Sequence, residues 1–266
     1  MTRVVRRSTS TRRALQIRGV RVLNGADAFA LELSKTAQAA LLRSLGVPTP
    51  RIWTFNDVGA IRERSAEIAF PALLKPEQGG SGARMMLVES FAHLEALLAQ
   101  RPEHWLPDNL LLLQEYFPTD PARGIVRMEF LGGELLYAMR VVSHGRFNLC
   151  PAPVCNPEGG EAGACEVEIA VEKPALPVEF YPYKEVPAQA VAWGKRIMAA
   201  GKLDVGGIEY LETADGKLVF YDVNANSNLR PSVAQAFGFD PFERVVDYLV
   251  REIRRTARPV PRTAAL

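Results

Sequence analysis

The sequence predicts a fold of the α+β class, because its strand-forming segments arrive in hairpins and not in regular strand-helix-strand units. The dipeptides Gly132-Gly133 and Asp215-Gly216 each lie between two apolar segments, and both suit the positive φ angles of a tight hairpin turn. A third pair of apolar segments flanks the glycine-rich stretch "KPEQGGSGARMM", which runs from Lys75 to Met86. These three features predict antiparallel sheets with helices packed against them.

The first predicted element is a helix that ends near Leu45. Gly46 and Pro48 follow this residue, and both are typical of a helix end. The apolar stripe that predicts the helix consists of Leu31, Leu33, Ala37, Ala40, Leu41 and Leu45.

Short strands and helices are predicted to alternate after this helix. Asn56 or Asp57 can cap a second helix that runs to about Ile68. The segments "FPALLKP", "ARMMLVES" and "NLLLLQEYF" are apolar enough to be buried strands, and a helix from about Phe91 to Ala99 precedes the last of them.

The second half of the chain contains the two remaining hairpins. The first is "GIVRMEFLGGELLYAMRVV", and the second follows a helix predicted over Pro187 to Ala200. Between them, residues 151–187 are rich in proline and glutamate with little periodicity, which indicates a long loop or flap. Asp240-Pro241 then begins a last helix. Its predicted apolar face consists of Val245, Val246, Leu249, Val250 and Ile253.

Composition places the chain among soluble globular proteins. The hydrophobic share of 48% and charged share of 23% exclude a disordered or fibrous class, and no segment approaches the ~20 apolar residues of a membrane span. Cys150, Cys155 and Cys165 cannot pair completely, and their spacing does not fit a zinc site. We therefore expect a cytoplasmic protein with no membrane partner.

The positive charge of the chain is concentrated at its start. Residues 1–23 contain seven arginines and no acidic residue, so the remainder carries a formal net charge of −5. Such a segment can be an organellar transit peptide, a nucleic-acid-binding arm, or the remnant of an upstream element with solvated arginines. We adopt the last interpretation and expect no nucleic-acid partner, because no aromatic residue lies among these arginines.

The second hairpin predicts a metal site. With Asp215 and Gly216 as a two-residue turn, Glu209 lies opposite Asp222, where like charges destabilise a sheet. Asn224 projects from the same face, so the set suits Mg²⁺ or Mn²⁺ with phosphate oxygens and water. The alternative is a solvated pair whose repulsion a lysine relieves. The same face is predicted to carry Leu211, Leu218 and Phe220.

The first hairpin predicts an anion site. With Gly132-Gly133 as the turn, Arg127 and Arg140 become diagonal neighbours on one face, about 7 to 8 Å apart. Two guanidinium groups at this spacing could hold a phosphate or a carboxylate between them. The alternative is a pair of exposed edge arginines, of which one pairs with Glu129 on the same face.

The glycine loop suits a polyphosphate. Glycines let backbone N–H groups approach phosphate oxygens closely, and the ammonium group of Lys75 beside them adds positive charge. The stretch is not a P-loop, because the lysine precedes the glycines. A flexible turn is the alternative interpretation.

The order of these motifs resembles the ATP-grasp superfamily. The matching segments are "FPALLKPEQGGSGARMMLVES", "LLLQEYF" and "VGGIEYLETADGKLVFYDVNANSN", and the closing "DVNANSN" is most similar to the RimK-like, alpha-L-glutamate ligase-like branch. The resemblance covers residues 24–266 and implies two α+β lobes whose antiparallel sheets grip ATP. Residues 24–113 would form the smaller lid lobe with its preceding helix, and residues 114–266 the larger lobe. Since only 34 residues precede Lys35, we expect most of the family's N-terminal domain to be lacking.

The resemblance also implies roles for individual residues. Two lysines would contact the ATP phosphates, Lys35 in "LELSK" and Lys75. The flexible lid over the phosphates would consist of Gly79, Gly80, Ser81 and Gly82. The linker that hydrogen-bonds the adenine edge would be Glu115, Tyr116 and Phe117. The metal ligands would be Glu209, Asp222 and Asn224, the same three residues that the hairpin geometry indicates.

The activity implied by the resemblance is ATP-dependent ligation of a carboxylate to an amine through an acyl phosphate, with glutamate or another amino acid as one substrate. Arg127 and Arg140 would be catalytic, by stabilising the charge that develops. The segment Asn226, Ser227 and Asn228 would border the pocket of a small-molecule or peptide substrate. The activity implied by the resemblance is compatible with a homo-oligomer. The alternatives are a non-catalytic ATP-binding regulatory module and a kinase that acts on a hydroxyl group.

Overall fold

The computed structural model of the chain describes residues 3–78, 85–105, 109–145 and 178–256. The helices are α1 (Arg3–Ile17), α2 (Ala26–Glu32), α3 (Lys35–Ser44), α4 (Val58–Glu63), α5 (Phe91–Gln100), α6 (Ala188–Ala200), α7 (Pro231–Ala234) and α8 (Pro241–Thr256). The strands are β1 (Ile52–Phe55), β2 (Ala72–Pro76), β3 (Met86–Val88), β4 (Leu111–Glu115), β5 (Ile125–Leu131), β6 (Glu134–Val142), β7 (Glu179–Pro182), β8 (Val205–Glu212) and β9 (Leu218–Asn224). The three cysteines lie outside the described residues.

These strands form two antiparallel sheets. The four-stranded sheet has the order β1-β4-β2-β3, and the five-stranded sheet has the order β7-β6-β5-β8-β9. The prediction of an α+β fold with antiparallel hairpins is confirmed. Among the described helices, none is both long enough and apolar enough to cross a lipid bilayer.

Each sheet has its own apolar core. In the four-stranded sheet, Phe55 and Leu74 pack with Ile61 of α4 and Leu94 of α5. In the five-stranded sheet, the inner face carries apolar side chains that pack against helices α2, α3 and α6. That inner-face cluster includes Val126, Met128, Phe130, Ile208, Tyr210, Phe220 and Val223. The opposite face of β5, β8 and β9 carries the charged residues of the candidate site.

The helix predicted to end near Leu45 is two helices, because the chain breaks at Leu33 and Ser34. Ser34 caps α3, since its Oγ accepts a hydrogen bond from the backbone N–H of Ala37 at 3.0 Å. The break places Lys35 at the first turn of α3. The apolar stripe does not reveal this break, because Ser34 is also compatible with the polar face of one continuous helix.

Gln38 anchors α3 to the five-stranded sheet. Its Oε1 accepts a hydrogen bond from the backbone N–H of Val223 at 2.9 Å, and its Nε2 donates to the carbonyl oxygens of Leu31 and Glu32. The helix therefore lies against β9 and packs in the core of the five-stranded sheet. The division of the chain into lobes at residue 113 stays a prediction.

Glu77 connects the four-stranded sheet to the start of α3. Its Oε1 accepts a hydrogen bond from the Oγ of Ser34 at 2.5 Å, and its Oε2 accepts from the Oγ1 of Thr36 at 2.9 Å and from the backbone N–H of Thr36 at 3.2 Å. Glu77 is buried and follows β2 directly. We call these hydrogen bonds the Glu77 clamp.

The hairpin of β8 and β9 contains two departures from the predicted geometry, and they cancel at the metal residues. Its loop has three residues, Ala214 to Gly216, because the N–H of Thr213 donates to the carbonyl of Lys217. A β-bulge at Tyr221 then shifts the register back, so that Glu209 pairs with Asp222 as predicted. The predicted position of Leu218 and Phe220 on the acidic face is wrong, because both pack in the inner core.

The hairpin of β5 and β6 also contains a β-bulge. Gly132 and Gly133 form the predicted two-residue turn, with φ of 60° and 84°. Leu136 is the extra residue, so Arg127 pairs with Met139 instead of Ala138. The predicted register is therefore wrong by one residue beyond the bulge, and a shift of one residue moves a side chain to the other face of the sheet.

Four of the helices and strands named above were not predicted from the sequence: α1, β1, β7 and α7. The basic segment at the start of the chain forms α1, and some of its arginines contact the body of the protein. The guanidinium of Arg12 lies 4.3 Å from the ring centroid of Phe29, and Arg13 forms an ion pair with Asp27. The predicted apolar face of α8 remains largely exposed in the described part of the chain.

We predict that Gln38→Ala destabilises the protein by about 1–3 kcal/mol. The change leaves the N–H of Val223 and two carbonyl groups without their partner in a buried place. Urea unfolding measures the loss, with Gln100→Ala at the exposed end of α5 as the matched control. A loss no larger than that of the control contradicts the anchoring role of Gln38.

Candidate functional site

Lys75 joins the two sheets at the candidate site. It lies on β2 and is buried, with 4% of its surface exposed. Its Nζ donates to the Oε1 of Gln114 on β4 at 3.1 Å and lies 5.3 Å from the ring centroid of Tyr221 on β9. The ammonium group of one sheet therefore contacts an aromatic ring of the other sheet.

The acidic pair lies directly beside this contact. Tyr221 donates its hydroxyl hydrogen to the Oε2 of Glu209 at 3.0 Å, and Glu209 pairs with Asp222 across the strands. Burial raises the pKa of Glu209, the positive charge of Arg127 opposes the shift, and Asp222 adds to it. Burial also raises the pKa of the Tyr221 hydroxyl, so this group stays a hydrogen-bond donor near neutral pH.

Asn224 completes the predicted ligand set. Its Nδ2 donates to the Oδ2 of Asp222 at 2.9 Å and to the carbonyl oxygen of Gly207 at 3.4 Å. Because the amide nitrogen makes both hydrogen bonds, the amide oxygen remains for a metal ion. No cluster of three or more histidine, cysteine, aspartate or glutamate side chains suited to a metal occurs in the described segments. Two carboxylates and one amide oxygen fit Mg²⁺, which draws its other ligands from phosphates and water.

Burial changes the acidity of Lys75. It lowers the pKa of the ammonium group to about 8, while the charge of Asp222 opposes the shift and that of Lys35 adds to it. Thr36, the neighbour of Lys35, hydrogen-bonds to Glu77, two residues after Lys75, so the two predicted phosphate lysines lie at the same junction. At such a site, the two ammonium groups can neutralise the negative charge of a polyphosphate, and the two carboxylates can neutralise the positive charge of a metal ion.

Arg127 holds the acidic residues in place. Its Nη1 donates to the Oε1 of Glu209 at 2.7 Å, and its Nε donates to the Oε1 of Glu129 at 2.6 Å. Its Nη2 donates to the carbonyl oxygen of Asn226 at 3.0 Å. Burial lowers the pKa of Arg127, but the ion pairs with Glu129 and Glu209 raise it by more, so the pKa lies above its ordinary value. A Cβ added at Gly207 would lie 2.1 Å from Nη2, so only glycine leaves room for this guanidinium.

The segment Asn226 to Asn228 is ordered by two carboxylates. The Oγ of Ser227 and the backbone N–H of Asn228 both donate to Glu129, at 2.5 and 3.2 Å. The Nδ2 of Asn226 donates to the Oε1 of Glu32 at 2.9 Å. The predicted acceptor segment thus has a defined conformation beside the acidic pair, while its contact with a substrate stays a prediction.

The predicted anion site between Arg127 and Arg140 is wrong. The bulge at Leu136 turns Arg140 to the inner face of the sheet, where its Nη2 donates to the Oε2 of Glu212 at 2.7 Å. Its guanidinium also lies 4.3 Å from the ring centroid of Tyr183. Arg127 pairs with Glu129, as the alternative interpretation stated, but that interpretation is wrong about an exposed edge position, because Arg127 is buried on the central strand β5. The two arginines therefore cannot hold one anion between them.

The remaining predicted nucleotide residues lie around the same junction. Lys35 begins α3 beside the Glu77 clamp, and Glu115 ends β4, where the chain passes between the two sheets. The Oε2 of Glu115 accepts a hydrogen bond from the backbone N–H of Arg51 at 3.0 Å. Tyr116 and Phe117 follow it in the connecting segment. The predicted lid residues Gly79, Gly80, Ser81 and Gly82 lie outside the described residues.

Similarity to characterised proteins is clear in both sequence and structure, although no protein-family model matches the chain. D-alanine–D-alanine ligase of Ectopseudomonas mendocina is 32% identical over 93 residues, which are 35% of this chain and 29% of that protein. N5-carboxyaminoimidazole ribonucleotide synthase of Synechococcus elongatus is 28% identical over 137 residues, 51% of this chain and 33% of that protein. The matches thus span about a third of the length of these relatives.

Solved structures match nearly the whole chain. The ATP-grasp ligase PsnB, in complex with the precursor peptide PsnA2 and AMPPNP, superposes with a TM-score of 0.62 at 23% identity, covering 94% of this chain and 70% of that one. The RimK domain protein ATP-grasp of Sphaerobacter thermophilus gives a TM-score of 0.62 at 20% identity, covering 92% and 77%. VanG D-Ala:D-Ser ligase of Enterococcus faecalis gives 0.65 at 20% identity, covering 91% and 68%.

The chain has the ATP-grasp fold. The resemblance stated from the sequence is thereby confirmed at the level of the fold, with a RimK domain protein among its structural neighbours. Sequence reasoning about this ATP-grasp chain missed Tyr221, Gln114 and Glu77. No sequence signal indicates Tyr221, because it reaches the site through a β-bulge, whereas the position of Glu77 two residues after Lys75 could have directed attention to it.

We predict that Arg127→Met destabilises this ATP-grasp chain by about 3–5 kcal/mol, because the change leaves buried Glu129 and Glu209 without their cation. Chemical unfolding measures the loss. The double variant Arg127→Met/Glu129→Gln should recover part of it, since it removes one uncompensated charge. Arg123→Met is the control, because Arg123 pairs with Glu212 at the surface and its loss should cost at most about 1 kcal/mol. Equal losses for Arg127→Met and Arg123→Met contradict the prediction.

The lowered pKa of Lys75 predicts that the stability of the folded chain depends on pH. This pKa is about 8 in the folded chain, below the ordinary lysine pKa of 10.5. Between these values the unfolded chain keeps a proton that the folded chain has released, so stability rises with pH in this window. Wild type should gain about 2 kcal/mol relative to Lys75→Met between roughly pH 7.5 and 9.5.

Unfolding midpoints across this pH range measure the gain, and comparison with Lys75→Met cancels other titrating groups. Lys195→Met, on the exposed surface of α6, should keep the wild-type pH profile. Parallel profiles for wild type and Lys75→Met would show that Lys75 keeps its ordinary pKa.

Proposed function

We propose that this chain is the ATP-grasp part of an ATP-dependent ligase that joins a carboxylate to an amine. One observation carries the proposal. Lys75 of the four-stranded sheet meets Tyr221, Glu209 and Asp222 of the five-stranded sheet at the junction of the lobes. A buried ammonium group next to a paired set of oxygen ligands is suited to a nucleotide whose phosphates carry a divalent metal.

The reaction follows from the poor reactivity of a free carboxylate. A carboxylate oxygen attacks the γ-phosphorus of ATP, the bond to the β–γ bridging oxygen breaks, and ADP leaves. The product is an acyl phosphate, whose phosphate is a good leaving group. The amine nitrogen then attacks the acyl carbon, phosphate departs, and the nitrogen loses a proton to give an amide.

The metal ligands in this proposal are Glu209, Asp222 and the amide oxygen of Asn224, with Mg²⁺ as the preferred ion. When bound, Mg²⁺ supplies positive charge to the phosphate oxygens. Tyr221 and Arg127 keep Glu209 oriented through hydrogen bonds to its two carboxylate oxygens. Arg127 is therefore a positioning residue here, and Arg140 has no part in the proposal.

The two lysines neutralise the phosphates. Lys75 is desolvated, so its charge interacts strongly with a phosphate placed beside it, and that phosphate would raise its pKa from about 8 and keep it protonated. Lys35 adds a second positive charge from the start of α3. Glu115, Tyr116 and Phe117 stay our proposal for the adenine contact, and residues 79–82 for the phosphate lid.

The substrates are a carboxylate and an amine of small-molecule or peptide type. The names of the similar proteins support this breadth, because they include a D-alanine–D-alanine ligase and a ligase in complex with a precursor peptide. We propose an amino acid, with glutamate as the first candidate, as one of the two substrates. Asn226, Ser227 and Asn228 would border its pocket.

Trapping of the acyl phosphate tests the proposal. Purified protein with MgATP is screened for ADP release against amino acids and peptides, and the active carboxylic acid is then incubated with hydroxylamine. Hydroxylamine should attack the acyl carbon and yield a hydroxamate, which is detected by mass spectrometry. Asp222→Asn should lower its rate by about a hundredfold or more, because a metal ligand is lost. Asp215→Asn, in the exposed hairpin loop, should match wild type.

The other outcomes discriminate between the alternatives. A kinase acting on a hydroxyl group would form a phosphoester that hydroxylamine does not cleave. A regulatory module would bind MgATP and release no ADP with any substrate. ADP release that depends on a carboxylate, with no hydroxamate formed, would exclude the ligase mechanism.

A further inference from the structure

Arg230 is a half-buried cation that lacks an acidic partner in the described part of the chain. Its guanidinium carbon lies 3.3 Å from the ring centroid of Phe180 on β7, so the guanidinium is stacked on an aromatic face. Its Nε is buried and makes no hydrogen bond there. A buried N–H of a charged group without an acceptor is costly, and it indicates a position that a ligand completes.

The other arginines of this sheet show the difference. Arg127 donates through Nε, Nη1 and Nη2 to two carboxylates and a carbonyl oxygen. Arg140 is also stacked on an aromatic ring, but it pairs with Glu212. Arg230 has the stacking without the carboxylate. Burial lowers the pKa of Arg230, the positive charge of Arg127 adds to this shift, and the negative charge of Glu129 opposes it.

The backbone holds Arg230 on the same face of the sheet as the acidic pair. Its N–H donates to the Oη of Tyr137 at 2.8 Å, and Tyr137 pairs with Glu129 across β5 and β6. Phe180 pairs with Val141 on that same face. Arg230 thus lies beyond the proposed acceptor segment, and the Arg127–Glu129 ion pair lies near it.

We infer that Arg230 binds a carboxylate of the substrate that does not take part in the reaction. The inference rests on the proposed ligase function, which places phosphates and the reacting carboxylate near Lys75. A guanidinium offers two parallel N–H donors to a carboxylate, and the stack on Phe180 holds it in the required plane. The substrate class is therefore a dicarboxylate or an amino acid whose second carboxylate is recognised by Arg230.

Glutarate is the probe, and glutaramide, its uncharged isostere, is the reference. Calorimetric titration of the full chain should give saturable binding of glutarate and much weaker binding of glutaramide. Arg230→Met keeps an apolar side chain over Phe180 but removes the charge, so it should weaken glutarate binding about tenfold or more. Arg230→Lys should recover only part of the affinity, because an ammonium group lacks the planar pair of donors.

Arg244→Met is the matched control. Arg244 is an exposed residue of α8, and its guanidinium carbon lies 5.5 Å from the ring centroid of Phe239. The substitution therefore removes an arginine that contacts an aromatic ring outside the site. The variant should bind glutarate as wild type does. If Arg230→Met fails to fold, as judged by its thermal midpoint and circular dichroism, Arg230→Lys decides the question.

The inference would be overturned if wild type shows no saturable glutarate binding, if glutarate and glutaramide bind equally, or if wild type and the Arg230 variants have equal affinities. Competition by inorganic phosphate as strong as by glutarate would also overturn it, by indicating a phosphate site. Binding of MgATP is measured separately in each variant. If wild type does not bind MgATP, the proposed function is contradicted, whereas the glutarate titration alone decides the role of Arg230.

Discussion

Arg127 carries a positive charge in the middle of the five-stranded sheet, and its hydrogen bonds join three parts of the molecule that are distant in sequence. It orients Glu209 on β8, pairs with Glu129 on its own strand and donates to the carbonyl oxygen of Asn226 in the segment after β9. Glu129 in turn holds Ser227 and Asn228. Because Arg127, Glu129 and Glu209 are buried, the conformation of the proposed metal residues and acceptor segment depends on this one ion-pair network.

The sequence predicted the elements of the fold better than it predicted their register. Alternation and turn residues located most strands and helices, but they carry no information on β-bulges, which depend on packing across the sheet. At Asp215-Gly216 a longer loop and the bulge at Tyr221 compensated each other, so Glu209 and Asp222 were paired correctly. At Gly132-Gly133 the turn was correct and the bulge at Leu136 was uncompensated, so Arg140 was placed on the wrong face.

The same limit applies to the site. Lysines, acids and glycines next to strand ends are visible in a sequence, and these residues were found. Tyr221 contacts Lys75 of the other sheet, and Arg230 contacts Phe180 on β7 of its own sheet. Both partners are far along the chain, so the sequence alone does not reveal either contact. The helix α1 was missed because its charge pattern indicated a solvated arm, whereas Arg12 and Arg13 contact α2.

The Glu77 clamp has a consequence for the energetics of nucleotide binding. The four-stranded sheet carries Lys75, whereas Lys35 belongs to a helix packed on the five-stranded sheet, and Glu77 ties the end of β2 to the first turn of that helix. A rotation of one sheet against the other at this point would have to break hydrogen bonds to a buried carboxylate. The two ammonium groups are therefore preorganised, and little conformational entropy remains to be lost when a polyphosphate orders them. Affinity at such a site comes from rigidity set during folding as much as from charge.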